Sequence, residues 1–158
     1  MKKAWNIPNL PVYSLATYNH HGVVNMNICT YVSAISMKPK LYAVAVYNNT
    51  KTLENIEQND LVVLQLLHQS QFSLVNKLGK LSGKNYNKYN YLFKKNILIN
   101  WEDLDVLKDC SALVLLKKIE AIQTGDHKLF IFEAQKSKVF NDDYLLLNTL
   151  REKKIIRG

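Results

Sequence analysis

The chain has 158 residues, enough for one domain with a full core and too few for two. Its 47% hydrophobic and 22% charged residues are the balance of a folded globular protein and exclude a disordered one. A formal charge of +8 points to a partner bearing phosphate, and the two distant cysteines, Cys29 and Cys110, argue against a disulfide framework or a CxxC zinc site.

Residues 11–19 (PVYSLATYN) are β-branched and aromatic and predict a strand. His20-His21-Gly22 follows as a turn, with Gly22 free to take positive φ. Val23 to Ser36 returns as one long strand, bulged near Asn25 to Asn27 and ended by Pro39. The nearly unbroken apolar run Leu41 to Tyr47 predicts a third strand, buried on both faces. Thr52 is placed as a helix N-cap, with Glu54 in the first turn and Leu53 and Ile56 on one face; Asn59-Asp60 ends the helix.

Asp60 to His68 predicts a fourth strand, and Ser70 to Leu78 a second helix burying Phe72, Val75 and Leu78 before Gly79. Leu81 to Lys95 is rich in lysine and tyrosine: Ser82-Gly83-Lys84 reads as a loop, followed by a turn or two of helix. Ser111 to Ile122 and Lys128 to Phe140 predict antiparallel partners around a Gly-Asp turn. The apolar tail, Tyr144 to Ile156, is expected to pack on the body or on a second subunit. With no repeat or linker, residues 1–158 read as a single domain, mainly β, a closed or partly closed barrel with short inserted helices.

Charge placement is uneven. No acidic residue occurs before Glu54, and a second acid-free stretch from Leu61 to Trp101 carries six lysines. Amide, hydroxyl and ammonium donors without carboxylates suit an anionic ligand. Five glycines form neither GxGxxG nor a Walker loop, the four histidines show no metal spacing, and no GxSxG occurs, so a nucleotide must be held in another way. Asn48 to Thr52 reads equally as a loop with an N-cap or as a phosphate-binding helix start beside Lys51. Gly125-Asp126-His127 reads as an ordinary hairpin turn when taken alone. The charged start lacks the apolar run of a signal peptide, and no run approaches the ~20 residues of a bilayer span, so a cytoplasmic protein is expected.

In order along the chain, Pro11-Val12, Asn25 to Ser36 with Pro39, Thr52 to Ile56, Ser82-Gly83 with Lys88-Tyr89, and Gly125-Asp126-His127 before Leu129 to Glu133 form a pattern. That pattern resembles the flavin reductase-like, FMN-binding split-barrel family over roughly residues 8 to 155. The resemblance implies a homodimer of Greek-key barrels, each holding FMN, with NADH or NADPH as co-substrate. It implies that Thr30, Tyr31, Val32 and Ser33 line the isoalloxazine through their peptide groups. Tyr47, Asn48, Asn49, Lys51 and Thr52 would hold the ribityl and phosphate end, Ser82 and Gly83 would close that end, and His127 would be the catalytic candidate; no metal is implied. Where many relatives offer arginine to the phosphate, this chain offers Lys51, a point charge without the bidentate fork. Two alternatives stand beside a reductase: a non-catalytic FMN electron carrier, and a basic barrel binding single-stranded nucleic acid through tyrosine stacking.

Overall fold

The computed structural model describes residues 2–157 and shows a mainly β protein. Seven antiparallel strands form one sheet: β1 (Tyr13–Tyr18), β2 (Val24–Met26), β3 (Val32–Met37), β4 (Lys40–Tyr47), β5 (Leu61–Leu66), β8 (Ala112–Gln123) and β9 (His127–Val139). Between β5 and β8 lies a separate hairpin, β6 (Leu98–Trp101) and β7 (Leu104–Leu107). The sheet order is β2-β1-β5-β8-β9-β4-β3, so its two edge strands are neighbours in sequence. Residues 27–31 join them across the opening. Cys29 pairs with Tyr13 of β1 through both backbone groups, and the Tyr31 carbonyl accepts from Ala45 N–H of β4. The connection closes the sheet into a barrel.

Alternation along β1 and β5 builds a core on each side of the sheet. Leu15, Val62 and Leu64 point inward with Val44, Val46, Leu116, Phe130 and Phe132, and Ile56 of helix α1 (Lys51–Gln58) plugs this interior. Val12, Ala16, Tyr18, Val63 and Leu67 point outward and are covered by α2 (Val75–Gly79), α3 (Lys88–Lys94), the β7 residues Val106 and Leu107, and α4 (Leu147–Glu152). Burying each such side chain stabilises the fold by about 1.5–3 kcal/mol. Truncating the fully buried Phe132 to alanine would therefore cost about 3–5 kcal/mol. The tail packs on its own chain: Leu145 exchanges backbone bonds with Val12 and Leu67, and Leu150 is buried.

Several expectations need correction. The predicted strand Val23 to Ser36 is two strands, because the Asn27 side chain accepts from Leu15 N–H in place of a ladder carbonyl and the chain then crosses the barrel opening. The N-cap of α1 is Thr50, not Thr52: Asn49 takes φ 61° and turns the chain, and Thr50 Oγ1 accepts from Leu53 N–H at 3.2 Å. The predicted helix from Ser70 to Leu78 is a 3-10 segment, Gln69–Leu74, capped by His68 and Gln71, running into α2 with Gly79 as its last residue. Strand β4 is fully buried only at Val44 and Val46, since its other face is left partly uncovered. Gly22 does take positive φ, and β8 and β9 pair antiparallel around the Gly-Asp turn.

Candidate functional site

A cavity of about 550 Å³ opens where the closing segment meets the ends of β4 and α1. Its walls are residues 25 and 27–31, 45–47, 49–52 and 78–83, with Lys88 and His127. Among these residues there is no carboxylate, while Lys51, Lys80 and Lys88 supply three cations. The fold makes this concentration possible: the start of α1, the loop after α2 and strand β2 all come from the two acid-free stretches.

One part of the wall is a donor cluster. Thr50 takes the Leu53 N–H on its side chain and the Glu54 N–H on its carbonyl, leaving the N–H groups of Lys51 and Thr52 as the open donors of the first turn. Thr52 is buried, and its hydroxyl accepts from Asn25 Nδ2 at 3.5 Å. Gly83 lies over this pair so closely that a Cβ there would collide with Asn25 Oδ1 and sit 2.9 Å from the Lys51 Cβ. Only glycine lets the loop approach the helix start. Lys51 and Lys84 both pair with Glu54, at 3.5 and 3.0 Å, and the hydrogen bond from Lys84 is the main cause holding the Glu54 carboxyl below its ordinary range.

Lys88 stands apart from these surface pairs. It is buried, and its Nζ donates to the Met26 carbonyl at 3.0 Å and the Leu78 carbonyl at 2.7 Å. Burial pushes its pKa down to about 8, so the ammonium is retained at neutral pH. Two carbonyl bonds leave one N–H of the three for a ligand.

A second part of the wall is aromatic. The His127 ring lies 5.3 Å from the ring centres of both Tyr31 and Tyr47, and both tyrosines are more than half exposed. His127 Nδ1 lies 2.6 Å from Asp126 Oδ1, and that hydrogen bond is the main cause lowering the Asp126 pKa. That bond engages Nδ1 and leaves Nε2 without a hydrogen-bond partner among the described residues.

Of the twelve residues singled out from the sequence, Thr30, Tyr31, Tyr47, Asn49, Lys51, Thr52, Ser82, Gly83 and His127 line the cavity. The other three lie elsewhere. Val32 packs on the barrel interior, Ser33 Oγ turns back to the Ala34 carbonyl, and Asn48 Nδ2 donates to the Gly125 carbonyl. Sequence reading did not select Asn25, Asn27, Thr50, Lys80 or Lys88. Lys88 follows Asn87, whose side chain caps α3, and that helix buries only Lys88 and Leu92. The sequence pattern included Lys88-Tyr89 but gave Lys88 no role at the site.

The fold and cavity define a class: an antiparallel barrel with a carboxylate-free cavity that combines lysines with an aromatic wall. Residues 9–155 match the family model described as the flavin reductase like domain, and the chain belongs to that family. An uncharacterized protein of Archaeoglobus fulgidus is 29% identical over 125 residues, spanning 77% of this chain and 71% of its own length. Flavoredoxin from Methanosarcina acetivorans superposes with a TM-score of 0.79 at 20% identity, covering 92% of this chain and 84% of that one. The flavin reductase PheA2 superposes with a TM-score of 0.74 at 26% identity, covering 88% of this chain and 85% of that one.

The cavity fits a phosphate-bearing flavin by its donor chemistry. It offers unpaired helix-start N–H groups, hydroxyls and lysines for a phosphate, backbone and amide groups for a polar ring edge, and no carboxylate in its walls. Among the described residues no metal-ligand cluster is found, and no helix is long and apolar enough to cross a membrane.

Proposed function

We propose that this protein is an FMN-binding oxidoreductase that moves a hydride from NADH or NADPH to flavin, acting as a cytoplasmic homodimer. The observation that carries the reading is the carboxylate-free cavity in which the start of α1, Gly83 and Lys88 converge. Bound FMN would supply the two-electron redox chemistry. The protein supplies binding, orientation and local charge.

Lys51 and Thr52 N–H, the Lys51 ammonium and Ser82 would hold the phosphate and ribityl end, with Asn49 and Tyr47 beside them. Gly83 keeps the loop close enough for these donors to act together. Peptide groups of Thr30 and Tyr31 would meet the ring's polar edge; the Tyr31 carbonyl is already taken by Ala45 N–H, so its N–H is the group available there. His127 would bind or orient the nicotinamide nucleotide, with Asp126 fixing which ring nitrogen carries the proton. None of these tasks needs a strong acid or base, in keeping with a wall free of carboxylates.

A flavin carrier exchanging electrons with a protein partner is the second reading, favoured by the likeness to flavoredoxin. Steady-state oxidation of NADH and NADPH with added FMN separates the two. Turnover dependent on FMN and saturable in one nicotinamide nucleotide supports the reductase. A protein that holds FMN but oxidises neither nucleotide above background is a carrier.

A further inference from the structure

A second cavity, of about 510 Å³, lies between the end of α2 and the C-terminal segment, and its walls are Lys80, Arg151, Lys154, Ile155, Ile156 and Arg157. Four of these six residues are cationic. Among the described residues no carboxylate lines the cavity and none of the four forms an ion pair. Glu152, on the same helix as Arg151, is not part of its wall.

Two of the cations are positioned. Lys80 Nζ donates to the Ile155 carbonyl at 2.9 Å, which ties the C-terminal segment to α2 and leaves two N–H groups free. The Arg151 guanidinium donates to Asn148 Oδ1 at 2.6 Å and to the Asn6 carbonyl at 2.5 Å, leaving three of its five donors. Ile155 and Ile156 add an apolar surface of the kind a base can lie on. Lys80 also lines the main cavity, so the two cavities meet at one side chain.

We infer that this second cavity is an anion site that takes a phosphate of a nucleotide longer than FMN while the main cavity holds the flavin. The inference rests on the flavin-binding reading of the main cavity. The shared chemistry is a nucleotide phosphate beside an adenine. It has two sources, the adenylate half of FAD and the phosphates of a nicotinamide dinucleotide. A purely structural role at the C-terminal end of α4 has little left to satisfy, because the backbone N–H groups of Lys153, Lys154, Ile155 and Ile156 already bond the Thr149, Leu150 and Arg151 carbonyls.

The test is the double variant Lys154→Gln/Arg157→Gln. Neither side chain donates a hydrogen bond within the described residues, so the fold is kept. Calorimetric titration with ADP and with 2′,5′-ADP needs no flavin. Both charge-assisted contacts are removed, so binding of at least one probe should weaken roughly tenfold or more, with FMN affinity held within about twofold. Loss confined to FAD binding assigns the site to the flavin's second phosphate. Loss confined to 2′,5′-ADP binding and the KM for NADPH assigns it to the nicotinamide nucleotide. Equal binding of every adenylate probe by variant and wild type overturns the inference, as does a parallel loss of FMN. If wild type binds ADP or 2′,5′-ADP at this site but not FMN, the reading of the main cavity fails and the second site stands.

Discussion

Gly83→Ala tests the idea that close approach of a loop to a helix start makes the phosphate end of the cavity. The added Cβ would overlap Asn25 Oδ1, lie 2.9 Å from the Lys51 Cβ and 3.0 Å from Asn25 Cγ. Asn25 is buried on β2 and bonded to Thr52, and Lys51 opens a capped helix, so neither yields easily. The loop is the softer partner: Ser82 is exposed, and the turn it starts is held by its own local bonds to Lys84, Asn85 and Tyr86. Strain from overpacking typically amounts to about 1–3 kcal/mol. Relieved by displacing the loop, it appears as lost ligand affinity, roughly 5- to 150-fold at about 1.4 kcal/mol per tenfold. Flavin fluorescence titration measures the affinity, and thermal unfolding of the ligand-free protein checks that the fold is intact. Gly125→Ala is the control, because nothing lies within 4 Å of its Cβ position. FMN binding by Gly83→Ala within twofold of both wild type and Gly125→Ala would refute the reasoning.

Three further outcomes are expected. His127→Ala should lower the rate of NAD(P)H-dependent flavin reduction more than it lowers FMN affinity, and equal loss of both would remove His127 from the nicotinamide site. Lys88 is charged in the unfolded chain up to its ordinary pKa of 10.5 but in the fold only to about 8, so between those values the unfolded state binds more protons and folding gains stability as pH rises. Denaturant unfolding should show that wild type gains up to about 1.4 kcal/mol per pH unit over Lys88→Met in that window, while a pH-independent difference would place the ammonium outside the protein interior. Burial raises the Cys29 and Cys110 thiols to about 12, so at pH 8 only about one in ten thousand is thiolate. A disulfide reagent should label neither cysteine of the folded protein within minutes, and rapid labelling of Cys29, which is half-buried and lines the cavity, would contradict its raised thiol pKa.

The barrel was legible because its signals are local. Leu41 to Tyr47 and the pair around Gly125-Asp126 announce strands by composition and by turn chemistry, and the structure pairs them as β4 with β9 and β8 with β9. The hairpin of β6 and β7 was missed for an equally local reason. Its two-residue turn, Glu102-Asp103, takes φ 52° and 62° without the Asn-Gly or Asp-Gly sequence that usually marks that conformation. At the site, the acid-free stretches located the cavity's chemistry and the family resemblance named nine of its members, but not Lys88 or Asn25 as site residues. Lys88 and Asn25 are drawn in by contacts across 62 and 27 residues, to Met26 and Thr52 respectively, and no window of sequence contains such a contact. Lys80 was invisible in the same way, because only the folded tail brings Arg151 and Ile155 beside it.

Equilibrium dialysis of the purified chain against FMN is the most direct measurement. A saturable uptake approaching one FMN per chain, lost progressively in Gly83→Ala and in a Lys51→Ala variant, is the predicted result. A folded protein that retains no FMN at any attainable concentration would contradict the assignment of the barrel's cavity.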